Sequence, residues 1–317
     1  MTAGLIADIG ATNARFALAD REGIHDEQIL KCEDYPGIFE AAESYLYKVG
    51  NPAIAKAAVA IAGPVQGDRF EMTNHPWSFS VSAVREKLGL QSFRLINDFE
   101  AIALAVPHLE KDTDYRQVMK GQVIAGAPIG IIGPGTGLGV ASLVRDGGTY
   151  CTVPGEGGHV TMPAKTQREF DVFQWLLQQK YHHVSAERVC SGKGLVNIYN
   201  ALRGLDGRTD LPELVPAQIS ERALKRQCPL CEEALDLMLG FLGRVAGNLA
   251  LTIGAQGGIY IAGGIVQRLG DYFDRSRFGE EFTAKGRFKD YMSAIPVFVI
   301  SNDFPAFIGL HAAMMRN

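Results

Sequence analysis

The sequence predicts a mixed α/β protein of two related units, and three observations carry that prediction. The first is a pair of apolar strands over 5–18 joined by a turn of small residues, Asp8-Ile9-Gly10-Ala11-Thr12-Asn13. The second is a repeat of that design over 129–144, where the turn reads Gly133-Pro134-Gly135-Thr136-Gly137-Leu138-Gly139. The third is the alternation of short apolar strands and amphipathic helices after each hairpin, the pattern of a mixed sheet covered by helices. A chain of 317 residues buries a large core and is long enough for two domains. Each turn exposes backbone amides under little side-chain bulk, plus one threonine hydroxyl, which suits a row of phosphate oxygens. Two such turns on opposite walls of a cleft suit the phosphates of one ATP.

The elements follow in order. After the first hairpin, 27–32 reads as a third strand. Phe39, Ala42, Leu46 and Val49 recur at helical spacing and predict a helix over 39–49. The small-residue run 55–62, closed by Gly63-Pro64, is a buried strand. Residues 81–88 read as a helix, and 93–96 as a short strand ending in Asn97-Asp98. The charged, weakly periodic stretch 110–117 is expected to link the two units. In the second half, 168–180 reads as a helix with Phe170, Phe173 and Leu177 on its inward face. A long helix over 232–253, apolar on most sides, is expected to be central. A buried strand over 258–262 runs into Gly263-Gly264, a further strand covers 295–300, and a terminal helix covers 305–314.

Composition excludes several classes. Formal net charge is −4, from 31 basic and 35 acidic residues, so no basic field attracts nucleic acid. No charged and apolar leader precedes the first strand, and the apolar stretch 234–255 is interrupted by Asp236 and Arg244. A soluble, cytoplasmic protein with a buried helix there is the expectation. Five scattered cysteines suit a reducing compartment. Cys228-Pro229-Leu230-Cys231 is a CxxC, but no second CxxC or histidine pair lies close by to complete a zinc site. The adjacent His182 and His183 are poorly placed to chelate on one face. Inert thiols just before a helix are expected.

Neither glycine turn is one of the commoner nucleotide motifs. Ser191-Gly192-Lys193-Gly194 lacks the earlier glycine and the trailing hydroxyl of a Walker A loop. A dinucleotide fingerprint needs glycine at 138 or 140, which are leucine and valine, and a helix after the turn.

Chemistry is expected at Asn97-Asp98, because the carboxyl ends of strands are where α/β sheets bind ligands. Asp98 reads either as the N-cap of the next helix or as an ionised general base for phosphoryl transfer to a substrate hydroxyl. First-turn amides stabilise the anion in both cases. In Pro154-Gly155-Glu156-Gly157-Gly158-His159-Val160 a carboxylate and an imidazole share a glycine-rich loop. Glycines flanking Glu156 let a ligand approach, and Glu156 with His159 accepts from and donates to vicinal hydroxyls. Glu187 reads locally as an exposed helix glutamate.

Taken in order, these segments resemble the bacterial glucokinases, hexokinase-type sugar kinases of the superfamily that includes actin and the heat-shock chaperone ATPases. The resemblance rests on 7–15, 62–65, Thr73-Asn74-His75-Pro76-Trp77, 95–99, 133–139, 155–159, 185–188 with Ser191-Gly192, and 262–265. It implies a two-domain actin-like, ribonuclease H-like ATPase fold with a cleft between the domains, 1–109 plus 301–317 and 110–300. It implies ATP-dependent phosphorylation of the glucose 6-hydroxyl, giving glucose 6-phosphate and ADP, by a cytoplasmic homodimer of glycolysis. By the same resemblance Asp98 is the base, and Asn97, Glu156, His159 and Glu187 hold the other hydroxyls. Asp8, Ile9, Gly10, Ala11, Thr12 and Asn13 form the first phosphate loop, with Asp8 near Mg²⁺, directly or through water. Gly135, Thr136 and Gly137 form the second, and Gly263-Gly264 line the adenosine pocket. Family members close two domains around the sugar, which excludes water and limits ATP hydrolysis.

One departure from the family pattern is Ala11, where a second glycine is common. Alanine is strained there if the position needs φ > 0 and costs little if it need only be small; the second is expected. The cysteine-rich zinc signature of the regulator-related sugar kinases is absent, which favours the ungrouped glucokinase branch. The rival readings are a kinase for mannose or fructose, a non-catalytic ATP-dependent module, and a sugar-sensing regulator. The last would need a DNA-reading helix-turn-helix and a basic patch, and neither is seen in this sequence.

Overall fold

The computed structural model describes residues 3–72, 75–208 and 210–315. Thr73 and Asn74 of the quoted motif lie outside the described residues. The chain divides into two compact units, Met1–Glu110 with Tyr150–Pro154 and Asn302–Asn317, and Lys111–Thr149 with Gly155–Ser301.

The first unit is built on a five-stranded sheet. Strands β1 (Gly4–Ile9), β2 (Asn13–Ala19) and β3 (Ile24–Lys31) form an antiparallel meander. Helix α1 (Ile38–Lys48) then leads to β4 (Lys56–Ile61), which lies parallel to β1. A small hairpin of β5 (Arg69–Glu71) and β6 (Ser78–Ser80) and a short helix α2 (Val81–Lys87) precede β7 (Ser92–Asn97). The sheet order is β3-β2-β1-β4-β7, and helix α3 (Asp98–Ala105) follows β7 directly. Side chains alternate between the two faces, as strand geometry requires. Leu5, Ala7 and Ile9 enter one core with Phe16 and Tyr45, while Ile6 enters a second with Ala17, Ala58 and Ala60. The terminal helix Pro305–Met315 packs into that second core beside α3, where small residues leave it room.

The second unit repeats the opening hairpin. Strand β8 (Tyr115–Met119) comes first, then the antiparallel pair β9 (Ile129–Pro134) and β10 (Leu138–Asp146). Strand β11 (Thr149–Gly155) follows, most of its residues counting with the first unit. With β12 (Ile259–Ile261) and β13 (Val297–Ile300), the sheet contains the run β10-β9-β12-β13-β8. The stretch expected to be a linker is therefore partly a strand. Tyr115 is drawn in by the rings of Tyr260 and Phe298, at 5.4 and 5.2 Å between centroids, and Arg116 is neutralised by Asp274 at 2.8 Å.

Helices α4 (Gln167–Gln179), α5 (Gly192–Leu205), α6 (Pro216–Leu224) and α7 (Pro229–Ile253) fill this unit's core. Helix α7 is long and apolar enough to cross a membrane, but most of its apolar window is buried in protein, as expected of a central helix. Cys228 caps it and Cys231 lies within it; both are buried free thiols, and burial pushes Cys231 up to about 12. The inward face of α4 differs from the expected one. Glu169, Val172, Phe173 and Leu176 are buried, whereas Phe170 and Leu177 are exposed. Arg244 of α7 makes the difference, because its guanidinium holds both oxygens of the Glu169 carboxylate at 3.0 Å.

Candidate functional site

In the first unit the register of the parallel strands places the chemistry. Ile9 of β1 aligns with Ile61 of β4, and Ile61 aligns with Asn97 of β7. The carboxyl ends of three strands therefore share one edge, about 10 Å across two strand spacings. Both the first glycine turn and Asn97-Asp98 leave the sheet from that edge.

The turn is tight. Gly10 N–H donates to the Asn13 carbonyl at 2.9 Å, while Ala11 and Thr12 are exposed at its tip. Ile9 buries its side chain in the core, so only its backbone faces a ligand. Among the described residues, the non-glycine positions with positive φ are Asp26, Asn51, Asp112 and Arg226. Ala11 is not one of them, so alanine is unstrained there. Asp8 of β1 lies opposite Arg15 of the neighbouring β2, whose Nη1 lies 3.1 Å from its Oδ2. Burial raises the Asp8 carboxyl above its ordinary range, against the opposing charge and hydrogen bond of Arg15. Arg15 was not among the expected site residues, although hairpin register reveals it: a turn pairing Ile9 with Ala14 must also pair Asp8 with Arg15.

At the next strand end, Asn97 rather than Asp98 is the helix cap. Asn97 Oδ1 accepts from Phe99 N–H at 2.8 Å and Glu100 N–H at 3.3 Å, and its Nδ2 donates to the Gly63 carbonyl at 3.1 Å. Asp98 is the first residue of α3, half-buried, and Phe99 N–H lies 2.9 Å from its Oδ1. Glu100, a further carboxylate on the same turn of helix, pairs with Arg94 at 3.7 Å and accepts from Thr152 Oγ1 at 2.9 Å.

The second unit assembles its own set. Gly135 N–H donates to the Gly137 carbonyl at 2.8 Å, closing the turn between β9 and β10. The parallel β12 aligns Ile261 with Ile132, and Ala262 N–H donates to the Ile132 carbonyl at 2.9 Å. Gly263 thus arrives beside Pro134 with φ 93°, and a Cβ there would lie 2.6 Å from the Pro134 carbonyl. Gly264 opens a short helix α8 (Gly264–Leu269), with the Arg268 guanidinium over it. The two predicted nucleotide elements of this unit are therefore neighbours.

Glu187 is not an exposed helix residue. It lies half-buried in a 3₁₀ turn, Ala186–Arg188, packs on Gly137, and its Oε2 accepts from Leu138 N–H at 3.0 Å. Glu156 precedes and His159 ends another 3₁₀ turn, Gly157–His159, with His159 Nε2 3.9 Å from Glu156 Oε2 and both side chains more than half exposed. Two backbone bonds, Ala186 N–H to Val160 and Met162 N–H to Val184, lay the chain after His159 alongside the Glu187 turn. All three predicted hydroxyl-binding residues of this unit thus stand on adjacent segments. Two of the loop glycines have a packing reason besides, for a Cβ at Gly157 would lie 2.8 Å from the Val140 side chain. A Cβ at Gly158 would overlap the Leu138 carbonyl, so the turn presses on β10; at Gly155 no described atom lies within 4 Å.

A magnesium ion carried on ATP phosphates asks for only one or two protein carboxylates. Asp8, paired with Arg15 through Oδ2 next to the first turn, is a carboxylate that could supply one. Among the described residues no group of three or more histidine, cysteine or acidic side chains is poised to hold a metal.

Comparison with known proteins finds relatives along nearly the whole chain. The family model described as Glucokinase matches residues 5–317. A glucokinase of Aromatoleum aromaticum is 48% identical over 98% of this chain and 94% of its own. One from Neisseria gonorrhoeae is 44% identical over 98% of this chain and 94% of its own. A solved glucokinase from an Antarctic psychrotroph superposes with a TM-score of 0.88 at 34% identity, covering all of both chains. The chain belongs to the glucokinase family.

Proposed function

We propose that this protein transfers the γ-phosphoryl group of ATP to the 6-hydroxyl of D-glucose, giving glucose 6-phosphate and ADP. The observation that carries the reading is the shared edge of β1, β4 and β7, from which an exposed phosphate-sized turn and the Asn97-Asp98 carboxylate both emerge. Asp98 takes the proton as the sugar oxygen attacks phosphorus, and ADP leaves. Asn97 keeps one Nδ2 hydrogen for a sugar hydroxyl beyond its cap, and Glu156, His159 and Glu187 hold the others. Amides of the turns at 10–13 and 135–137 take phosphate oxygens, and Gly263-Gly264 flank the adenosine. Magnesium bound with the nucleotide, near Asp8, neutralises charge on the phosphates. Positioning and electrostatics supply most of the acceleration, as is general for phosphoryl transfer. In the same reading the functional domains are 1–109 with 301–317 and 110–300, and the enzyme works as a cytoplasmic homodimer feeding glycolysis.

The test is a coupled assay with ATP, Mg²⁺ and glucose, and with mannose and fructose in parallel. Glucose-selective formation of the 6-phosphate is expected. Asp98→Asn should lower kcat by about 10²–10⁴-fold while leaving glucose affinity within a few fold, since proton transfer contributes on that scale. Near-normal turnover in Asp98→Asn would sink the assignment of the base. Activity on mannose or fructose alone would overturn the substrate.

A further inference from the structure

We infer that Cys32 is a positioning residue that sets the direction of the peptide groups in the first phosphate turn. The inference rests on the reading of 10–13 as a phosphate site. Cys32 stands directly after β3, fully buried, and makes two hydrogen bonds to the turn. Its N–H donates to the Thr12 carbonyl at 2.9 Å, and its thiol donates to the Gly10 carbonyl at 3.3 Å. In a trans peptide the carbonyl and the following N–H point in opposite directions. No cis peptide occurs among the described residues. Drawing the Gly10 and Thr12 carbonyls toward Cys32 therefore turns the Ala11 and Asn13 N–H groups away from it. A Cβ placed on Gly10 would meet only the Asn13 carbonyl, at 3.5 Å, so the space beside that peptide is open.

The second turn has the same device from an unrelated element. Gly192 N–H, at the start of α5, donates to the Gly135 carbonyl at 2.9 Å, which turns Thr136 N–H the other way. There a backbone group does the holding; in the first turn half of it falls to a side chain. Burial raises the Cys32 thiol, which keeps it the S–H donor that a carbonyl requires. A buried cysteine is ordinarily a small apolar filler, for which volume is what counts. Here the hydrogen matters as well.

Two variants separate volume from hydrogen bonding. Cys32→Ser keeps a donor, and Cys32→Val fills the space without one. The readouts are calorimetric affinity for AMPPNP with Mg²⁺, KM for ATP and for glucose, kcat, and melting temperature. Cys32→Val should weaken AMPPNP binding and raise KM for ATP about three- to tenfold, the scale of one neutral hydrogen bond, with KM for glucose within twofold. Cys32→Ser should remain within about twofold of the native protein in all of them. AMPPNP affinity unchanged in Cys32→Val, or equally reduced in both variants, overturns the inference. Should Cys32→Val fail to fold, Cys32→Ala is read in the same way. Native protein that binds AMPPNP but does not phosphorylate glucose would remove the proposed function, and the variants would still decide the role of Cys32. Native protein that binds no AMPPNP would remove both.

Discussion

Replacing Arg244 by methionine tests what holds the second unit together. Arg244 is nearly fully buried and donates to Glu169 twice at 3.0 Å, to Glu281 at 3.1 and 3.2 Å, and to the Pro163 carbonyl at 2.8 Å. The two carboxylates do not lose equally. Glu281 retains Lys165 at 3.1 Å and Arg277 at 3.4 Å, whereas among the described residues Glu169 keeps the backbone amides of Lys165 and Thr166. Removing one partner of a buried pair costs about 3–5 kcal/mol, and the surviving partners of Glu281 place this case near 3. In a unit of this size that is roughly 6–12 °C in melting temperature.

The pH dependence makes the test specific. In the native protein burial raises the Glu169 carboxyl, but hydrogen bonds from Arg244 and the Lys165 amide outweigh it, so the net shift is downward. Its stabilisation is therefore present above the ordinary carboxylate range and lost as pH falls through the lower folded value. Without Arg244 burial is opposed by the Lys165 and Thr166 amides alone, so the folded carboxyl lies higher than in the native protein, and the penalty applies at neutral pH and is relieved by acid. Melting curves of the two proteins from pH 8 to pH 5 should show a gap that is widest at pH 8 and narrows toward pH 5. Adding Glu169→Gln to Arg244→Met should recover much of the loss at pH 8. A gap below about 2 °C, or one constant across that range, would refute the reasoning, because about 3 kcal/mol must appear as several degrees.

Three further expectations follow from single positions. Ala11→Gly should change KM for ATP by less than about threefold, because Ala11 carries no positive-φ strain for glycine to relieve; a large gain in ATP affinity would count against this. Gly158→Ala should destabilise by about 1–3 kcal/mol through its clash with the Leu138 carbonyl and raise KM for glucose, while Gly155→Ala leaves both nearly unchanged; equal effects in urea melts and kinetics would contradict the packing. Burial, with the charge of Arg244, pushes the Lys285 ammonium down to about 8 from 10.5, so between those values the unfolded chain holds a proton that the folded one has released. Native stability relative to Lys285→Met should therefore rise from pH 7.5 to pH 10, and parallel curves would exclude it.

Both hairpins were legible in the sequence because their causes are local: two short apolar runs of strand length and a turn of small residues between them. The helices at 39–49, 81–88 and 232–253 were legible for the same reason, within a few residues of their ends. What was missed depends on partners far along the chain. Glu169 faces inward only because Arg244, 75 residues away, neutralises it, and apolar spacing pointed to Phe170 and Leu177 instead. Residues 115–119 are a strand because Tyr260 and Phe298 supply ring partners and Asp274 supplies a charge for Arg116. No window of local sequence contains those facts.

The candidate site divides along the same line. Residue types and their order pointed to Asn97-Asp98, but not to which of the two caps the helix, since both are good caps. The surroundings decide it. Position 97 accepts from two helix amides and donates to the Gly63 carbonyl at once, and of asparagine and an ionised aspartate only the neutral amide has both an acceptor and a donor. A carboxylate at 97 would face that carbonyl with no hydrogen to offer, which is costly for a half-buried group. The capping duty therefore falls to asparagine and the negative charge to the next residue, at the first turn of α3, where the helix amides favour it. The order Asn-Asp is thus a physical requirement of a strand end that must be both capped and charged. Reversing it, as Asn97→Asp with Asp98→Asn, keeps the composition and should lose the hydrogen bond to the Gly63 carbonyl and, in the proposed function, the base, seen as a lowered melting temperature and lost turnover.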